Sequence, residues 1–244
     1  MNGKLYLDVP YVEKDAVKNL GAKWDPSLKK WYYKGPVENY IKFAKWIAGD
    51  QEETIIAHEY VYLLETDQNC FRCGNPTRVV GLGIGEHTYL YREDGRFEME
   101  TVENRISFEP LFLAWVESEN DIPPALLEYM KKNYHVRTGI SQKAGPCFAN
   151  YCEHCGVIQG NWHLFCEDSP LSPMILDGPE LRERLRKVKI YSIGIDEDLV
   201  LDWSFGFGSN NDLYFKYCPI EELILPPSKD EFISYADLYR GCNL

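Results

Sequence analysis

The sequence predicts an α+β protein in which a small basic α+β module precedes a mainly β domain built around a metal site. Two Cys-x-x-Cys-Gly segments, separated by 78 residues, are the strongest local signal in the chain. Apolar and polar residues alternate over many short stretches, which is typical of strands. Nine of the 26 basic residues fall within the first 48 positions. We therefore expect two parts, residues 1–48 and residues 55–244.

The predicted module reads as strand, helix, hairpin and helix. An alternating stretch at 5–9 predicts the strand, which Pro10 ends. A helix over 12–20 places its apolar residues on one face, and Gly21 stands where a C-terminal helix cap belongs. The residues of that face are Val12, Ala16 and Leu20.

The hairpin of the module is predicted around Asp25-Pro26-Ser27-Leu28, because proline favours the second position of a turn. Trp24 and Trp31 flank this turn, and both indoles are expected to pack on the core of the module. A helix over 37–47 closes the module, and the polar segment 49–53 is the expected linker. The apolar face of that helix consists of Tyr40, Phe43, Ala44 and Ile47.

The two cysteine segments are Cys70-Phe71-Arg72-Cys73-Gly74 and Cys152-Glu153-His154-Cys155-Gly156. In each, two thiols stand one tight turn apart, and the glycine that follows can take the positive φ that such a turn needs. This pattern is typical of a zinc knuckle, and two knuckles supply the closed tetrahedral set of four thiolates of a structural zinc site. The sequence therefore predicts Zn²⁺ held by Cys70, Cys73, Cys152 and Cys155. His154 could replace one cysteine as a ligand, but we expect it to lie beside the ligands.

Two other interpretations of these cysteines stay open, a thioredoxin-like redox pair and ordinary buried thiols. A redox pair opens a helix after a strand, and neither segment has that pattern. The other four cysteines are expected to be small buried residues, with Cys147 nearest in sequence to the second knuckle. They are Cys147, Cys166, Cys218 and Cys242.

The interval between the knuckles is longer than a minimal zinc ribbon needs, which predicts a structured insertion over 74–151. A helix is expected to begin near Pro123-Pro124, with Asp121 as its cap and Leu126, Leu127 and Met130 facing inward. The glycine-rich stretch at 81–85 lacks the spacing of a dinucleotide-binding loop. Strands are expected at 60–66, 78–84, 88–92, 105–108 and 111–116.

Beyond the second knuckle, residues 160–165 are predicted to be the return strand of a hairpin. A basic amphipathic helix is expected over 181–188, and a final helix over 229–238. The turn Asp196-Glu197-Asp198 joins two strands of a predicted C-terminal sheet. The strands of that sheet are expected at 188–195, 199–205 and 213–218.

Part of the module resembles a known family. The residues concerned are Val9-Pro10, Lys14-Asp15, Lys18, Leu20-Gly21-Ala22-Lys23-Trp24-Asp25 and Lys30-Trp31-Tyr32. They resemble a small bacterial domain of unknown function that recurs at the ends of plasmid primase and conjugation-type proteins. The Trp-Asp-Pro and Lys-Trp-Tyr parts are also similar to the accessory domain of annealing helicases, which bind forked DNA. The resemblance implies an association with the DNA metabolism of mobile elements, and no reaction.

A second resemblance covers Ala149-Asn150-Tyr151-Cys152-Glu153-His154-Cys155-Gly156 and Gln159-Gly160, around the second knuckle. This stretch is similar to the C-terminal zinc-binding half of uncharacterised bacterial proteins with a split zinc ribbon. It implies metal binding and nothing further.

Two interpretations of the module's hairpin stay open. The tryptophans either belong to the core or stack on bases beside neighbouring lysines. The residues for a nucleic-acid contact are Lys23, Trp24, Lys29, Lys30 and Trp31.

The charge of the chain is unevenly distributed. The formal net charge is −12, but residues 1–48 hold nine lysines against five acidic residues, a net of +4. The remaining 17 basic and 33 acidic residues give −16. Since an acidic surface repels phosphate, any nucleic-acid contact is expected from the module.

The compartment expected from the sequence is the cytoplasm. No apolar run approaches the ~20 residues of a membrane span, and the first residues do not resemble a signal peptide. In a reducing compartment, paired cysteines bind metals instead of forming disulfides.

We expect a non-catalytic zinc-binding protein that presents a surface to another macromolecule, protein or DNA, in mobile-element or DNA metabolism. One alternative is a DNA-binding accessory factor that acts through residues 1–48. Another is a metal-dependent hydrolase or toxin that uses Asp198, Asp202 and other acidic residues of the C-terminal sheet, although most such clusters are solvated turns.

Overall fold

The computed structural model describes residues 1–102, 112–115, 118–119, 122–141, 145–165, 169, 171, 178–207 and 212–225. Within these ranges the protein is α+β, as predicted. Several expectations lie outside the described residues. They are the strand at 105–108, the cap Asp121, Cys166, Cys242 and the helix at 229–238.

The strands in chain order are β1 (Asn2–Leu7), β2 (Lys23–Asp25), β3 (Lys30–Pro36), β4 (Glu53–Ala57), β5 (Tyr60–Asn69), β6 (Pro76–Ile84), β7 (His87–Glu93), β8 (Arg96–Val102), β9 (Phe112–Trp115), β10 (Val136–Ser141), β11 (Gly145–Asn150), β12 (Lys189–Gly194), β13 (Leu199–Phe207) and β14 (Ile220–Glu222). The helices are α1 (Lys14–Asn19), α2 (Ala44–Ile47), α3 (Pro124–Asn133), α4 (Asn161–Phe165), α5 (Gly178–Leu185) and α6 (Asp212–Tyr217). Two 3₁₀ segments, Tyr11–Glu13 and Val37–Phe43, lead directly into α1 and α2.

The module forms a three-stranded antiparallel sheet in the order β1-β3-β2, packed on its helices. The expected strand, hairpin and two helices are all present. The second helix buries Tyr40, Phe43 and Ala44 as predicted, but its first seven residues are 3₁₀. The other buried apolar residues of the module's core are Leu5, Leu7, Val17, Ala22, Tyr33, Val37 and Trp46.

The apolar face predicted for the first helix is wrong. Val12 is 89% exposed and Leu20 is 41% exposed, whereas Val17 is fully buried. The segment begins as a 3₁₀ turn, which has three residues per turn, so the α-helical phase starts only at Lys14. Gly21 ends the helix at φ +99°, and its N–H donates to the carbonyl of Lys18, as a C-terminal cap requires.

The second part contains a nine-stranded sheet in the order β14-β12-β5-β6-β9-β13-β4-β7-β8. Neighbouring strands are antiparallel except for β12 and β14. A separate antiparallel pair, β10 and β11, follows α3. Trp115 stacks on Phe148 with ring centroids 5.3 Å apart, and this packing ties β9 of the large sheet to β11. The helix α3 buries Leu126 and Met130 as predicted.

Two predicted strands are helices. Residues 160–165 contain α4, where the adjacent side chains Leu164 and Phe165 are both fully buried. Adjacent side chains of a strand point to opposite faces of the sheet, so a strand with one buried and one exposed face could not bury both Leu164 and Phe165. Residues 213–217 belong to α6, and Tyr214 of this helix and Cys218, the residue after it, are buried four positions apart. The aromatic composition of this stretch favoured a strand, but packing at helical spacing determines the outcome.

The module contacts the second part through β1 and the turn at 196–198. The N–H of Asp198 donates to the carbonyl of Lys4 at 2.7 Å, and the Lys4 ammonium lies 2.7 Å from the Glu197 carboxylate. Ile56 of β4 belongs to the apolar cluster of the module. Among the helices of the described residues, none has the length and apolar character to cross a membrane.

Candidate metal centre

The first knuckle is the turn that joins β5 to β6, which contain the strands expected at 60–66 and 78–84. The pairing of these strands ends at Asn69 opposite Pro76, so the loop begins at Cys70. The N–H of Cys70 donates to the carbonyl of Asn75, and the N–H of Gly74 donates to the carbonyl of Cys70, both at 2.9 Å. Gly74 has φ +72°, a conformation that L residues rarely adopt, which is why glycine stands here.

The second knuckle repeats this geometry immediately after β11. The N–H of Cys152 donates to the carbonyl of Val157 at 2.9 Å, and the N–H of Gly156 donates to the carbonyl of Cys152 at 3.0 Å. Gly156 has φ +67°. A bridge between Tyr151 and Ile158 closes the loop. The two segments are therefore two copies of one turn.

The structure brings the four predicted cysteines together. The Sγ atoms of Cys70 and Cys155 are 3.7 Å apart, and so are those of Cys73 and Cys152. All four sulfur atoms lie within 4.8 Å of one another. Four sulfurs placed tetrahedrally at ~2.3 Å from one zinc ion are about 3.8 Å apart, whereas a disulfide needs ~2.05 Å. The spacing fits a shared cation and excludes a disulfide in this arrangement.

The electrostatics of the cluster differ from thiol to thiol. Burial would raise the pKa of Cys70, but hydrogen bonds from the Cys73 and Arg72 amides and from Gln159 lower it to about 6. The pKa of Cys152 is also lowered, because the amides of Cys155 and His154 outweigh its desolvation.

Cys155 shows the opposite behaviour. The Val157 amide acts to lower its pKa, but desolvation and the three neighbouring sulfur atoms raise it to about 11. Crowded thiolates repel one another, and a bound cation would remove this repulsion.

Gln159 contacts the cluster of four cysteines, and this contact was not predicted from the sequence. Its side chain is buried, and its amide N–H groups donate to the Cys70 sulfur at 3.5 Å and to the carbonyl of Val157 at 3.0 Å. Its Oε1 accepts a hydrogen bond from Gln68 at 2.9 Å. Four residues beyond a Cys-x-x-Cys segment, a glutamine gives no signal that separates it from a surface residue.

His154 stands where the sequence analysis expected it, beside the sulfurs. Its Nε2 lies 2.9 Å from the carbonyl oxygen of Pro76, and its backbone N–H donates to the Cys152 sulfur at 3.4 Å. The N–H of Glu153 donates to Thr77 at 3.0 Å. These contacts link the second knuckle to the strand that leaves the first.

Two further cysteines can be placed. Cys218 is buried, and desolvation raises the pKa of its thiol to about 12. Cys147 lies on β11 with its side chain partly exposed, and it is not one of the four clustered sulfurs.

The hairpin of the module presents its tryptophans differently than expected. Trp24 and Trp31 pair across β2 and β3 and contact edge-on, with ring centroids 5.6 Å apart. Trp31 packs partly on the core, but Trp24 is 49% exposed, so the expectation that both indoles are core residues is wrong for Trp24. The hairpin lysines Lys23, Lys29 and Lys30 are exposed.

The acidic turn of the C-terminal sheet is occupied by contacts to the module. Glu197 pairs with Lys4, and the Asp198 carboxylate accepts a hydrogen bond from the Tyr40 hydroxyl and lies 3.1 Å from His58 Nδ1. Burial, and then the Asp198 charge, raise the pKa of Tyr40. These carboxylates therefore hold the two parts together. The side chain of Asp202 lies outside the described residues.

Comparison with known proteins concerns the module alone. Residues 4–48 match a family described as a domain of unknown function (DUF5710). Two Escherichia coli proteins, each called DNA primase TraC, are 48% identical over 44 residues and 49% identical over 43. Each match covers 18% of this chain but only 3% or 4% of the relative. No solved structure matches the chain. The module thus resembles a small part of two proteins called DNA primase, in agreement with the resemblance to plasmid primases seen in the sequence.

Proposed function

We propose that this chain is a non-catalytic, cytoplasmic zinc-binding protein whose four-cysteine site is structural and which serves as an interaction module in the DNA metabolism of mobile elements. The observation that carries the zinc site is the spacing of the four sulfurs, at 3.7 Å in two pairs and within 4.8 Å overall. The division into residues 1–48 and 55–244, with an insertion at 74–151, stays a prediction.

The donor set supports a structural role. Zinc held by four thiolates has no open position for a substrate or a reactive water. Each pair of sulfurs comes from a turn whose backbone hydrogen bonds are already formed, so the ion would join two preformed halves. In this proposal Zn²⁺ cross-links the β5–β6 hairpin to the end of β11.

Metal content tests this proposal. We expect about one zinc ion per chain in protein purified under reducing conditions, measured by mass spectrometry of the metal with a parallel thiol titration. A Cys155→Ser variant should lose the metal and become protease-sensitive. Cys147→Ser, which changes a partly exposed thiol outside the cluster, is the matched control. Less than about half an equivalent of zinc with all thiols free would remove the proposal.

A second candidate function is DNA binding through the module. The exposure of Trp24 beside three exposed lysines favours it, because base stacking on an aromatic ring needs an accessible face. The two similar proteins carry the name DNA primase, which agrees with a role near DNA.

Fluorescence anisotropy with single-stranded and forked DNA tests this function. Loss of one stacking ring costs ~1–3 kcal/mol, so Trp24→Ala should weaken binding by roughly 5- to 150-fold. Tyr60→Ala is the matched control, because Tyr60 is 48% exposed on β5, outside the module. Binding should also weaken steeply with salt. Equal affinities of the two variants would argue against a contact at the hairpin.

A further inference from the structure

A basic pocket lies beside the second knuckle, where α3 ends and β10 begins. It has a volume of about 410 Å³ and is lined by Arg78 of β6 and by residues 131–137. The segment 131–137 contains two lysines, one arginine and one histidine, and no acidic residue. This concentration of positive charge stands in the part of the chain whose formal net charge is −16.

Arg78 is held in place in this pocket. Its Nε donates to the Glu153 carboxylate at 3.3 Å, and its Nη2 donates to the carbonyl of Asn133 at 3.0 Å. The guanidinium lies over the ring of Tyr134, 5.6 Å from the centroid. These bonds use two of its five N–H donors, so three donors with a fixed plane are left for a ligand.

Arg137 is held by an aromatic ring in the same way. Its guanidinium carbon lies 3.9 Å from the centroid of Tyr151, the residue that precedes the second knuckle. Lys132 is exposed. Across the described residues, no acidic side chain forms an ion pair with Lys132 or Arg137, whereas Arg78 and Lys131 are paired with Glu153 and Glu119. Glu65 also lies beside the pocket, where it accepts a hydrogen bond from the Tyr134 hydroxyl at 2.6 Å. With Glu65, Glu119 and Glu153 counted against the four lysine and arginine residues, the pocket keeps a net positive charge, which Lys132 and Arg137 supply.

Helix electrostatics explain only part of this cluster. Lysines in the last turn of α3 interact favourably with the helix dipole, an effect of ~0.3–1 kcal/mol each. That accounts for Lys131 and Lys132. It does not account for Arg78 and Arg137, which come from two strands and converge on the same pocket with their planes fixed by tyrosines.

We propose that this pocket binds a phosphate group, supplied either by a nucleic-acid backbone or by a free phosphate or nucleotide. Planar guanidinium forks match the geometry of phosphate oxygens, and Lys132 and Arg137, which have no ion-pair partner among the described residues, supply the charge. The acidic remainder of the domain does not prevent this, because at physiological salt charges are screened beyond ~8 Å. The site thus revises the expectation that only the module meets phosphate. Phosphate binding in this pocket depends neither on the exposed indole of Trp24 nor on which metal the four cysteines hold.

The test compares two double variants of the full chain. Lys132→Gln with Arg137→Gln removes the uncompensated charge of the pocket, while Arg184→Gln with Arg186→Gln removes the same charge from exposed positions on and just after α5. Inorganic phosphate is titrated by calorimetry, and a labelled oligothymidylate by anisotropy at several salt concentrations. We expect the pocket variant to weaken binding at least tenfold. The salt slope for the oligonucleotide should fall by ~0.7, the value for one lost phosphate contact on a single strand.

The two ligands separate the sources of the phosphate. Weakened binding of both means a site for phosphate in general, and weakened binding of the oligonucleotide alone means a backbone contact. Trp24→Ala should leave phosphate binding unchanged, so failure of the hairpin proposal is distinguishable from failure of this one. Unchanged metal content and melting show that the variant is folded, and Lys132→Gln alone carries the test if the double variant is not. The proposal is overturned if the pocket and control variants bind alike, or if the unaltered protein binds neither ligand.

Discussion

Removing the proposed zinc ion should lower the free energy of unfolding of the second part by about 4 to 5 kcal/mol. The ion would close a loop of about 80 residues, from 73 to 152, and chain entropy assigns ~4.5 kcal/mol to a cross-link of that size. Zinc-finger peptides owe ~10–16 kcal/mol to the metal, because they have little other core. Here a large apolar cluster, which includes Trp115, Phe148 and Phe165, packs without the four clustered cysteines. We therefore expect the smaller, entropic value.

Urea unfolding followed by tryptophan fluorescence, with and without a strong chelator under reducing conditions, measures this loss. With a slope of ~2–3 kcal/mol/M, the midpoint should fall by about 2 M. Cys155→Ser should shift the midpoint in the same direction without chelator, and Cys147→Ser should not. A midpoint that does not move on chelation, in protein shown to have lost its metal, would refute the reasoning.

Three further predictions concern the surroundings of the site. The buried Asn150 side chain accepts a hydrogen bond from the Val80 N–H at 2.9 Å and donates one to the Val80 carbonyl at 2.8 Å. Asn150→Leu removes both bonds and should lower the free energy of unfolding in urea by about 2–5 kcal/mol. An unchanged midpoint would show that water replaces the amide. Gly74→Ala should lower the free energy of unfolding by ~1–2 kcal/mol, because alanine is strained in the left-handed backbone conformation although there is space for its methyl group. Asparagine tolerates this conformation better, so Gly74→Asn should lower the free energy of unfolding less. Equal losses for the two variants would contradict this reason. Hydrogen bonds from Lys131 and Thr138 lower the pKa of Glu119 to about 2. In a pH titration followed by carbon NMR, the Glu119 carboxylate should therefore show its midpoint at about pH 2, and this midpoint should rise towards pH 4.5 in Lys131→Gln. Because the folded pKa is the lower one, this carboxylate stabilises the fold above about pH 4.5 and loses that effect as the pH falls towards 2.

The cluster of four cysteines was predictable because its sequence signal is local. A Cys-x-x-Cys-Gly segment encodes its own turn, and the positive φ of Gly74 and Gly156 is the conformation that the glycines imply. Two such segments with matching donors then imply one ion. The two segments lie far apart in the chain, and their meeting could be inferred only because each supplies two thiolates and a structural zinc site needs four.

Other features could not be read from the sequence, because they depend on what a segment packs against. The stretches of α4 and α6 have residues that suit strands, and burial at helical spacing overrides that preference. Trp24 has the same side chain as Trp31, and only the packed sheet shows which indole faces the core. The basic pocket combines Arg78 with a segment more than 50 positions away, so no window of sequence contains it.

The order of the large sheet has a consequence for how the chain is made. β5 pairs with β12, and β4 pairs with β13. Each of the two early strands, β4 and β5, therefore lacks one of its neighbouring strands until more than 100 further residues have been synthesised. At ~5–20 residues per second, a ribosome needs at least several seconds to supply them. During that interval the first cysteine pair emerges without the second. We therefore expect the nascent protein to need reducing conditions and protection of its unpaired strand edges until synthesis has passed residue 207.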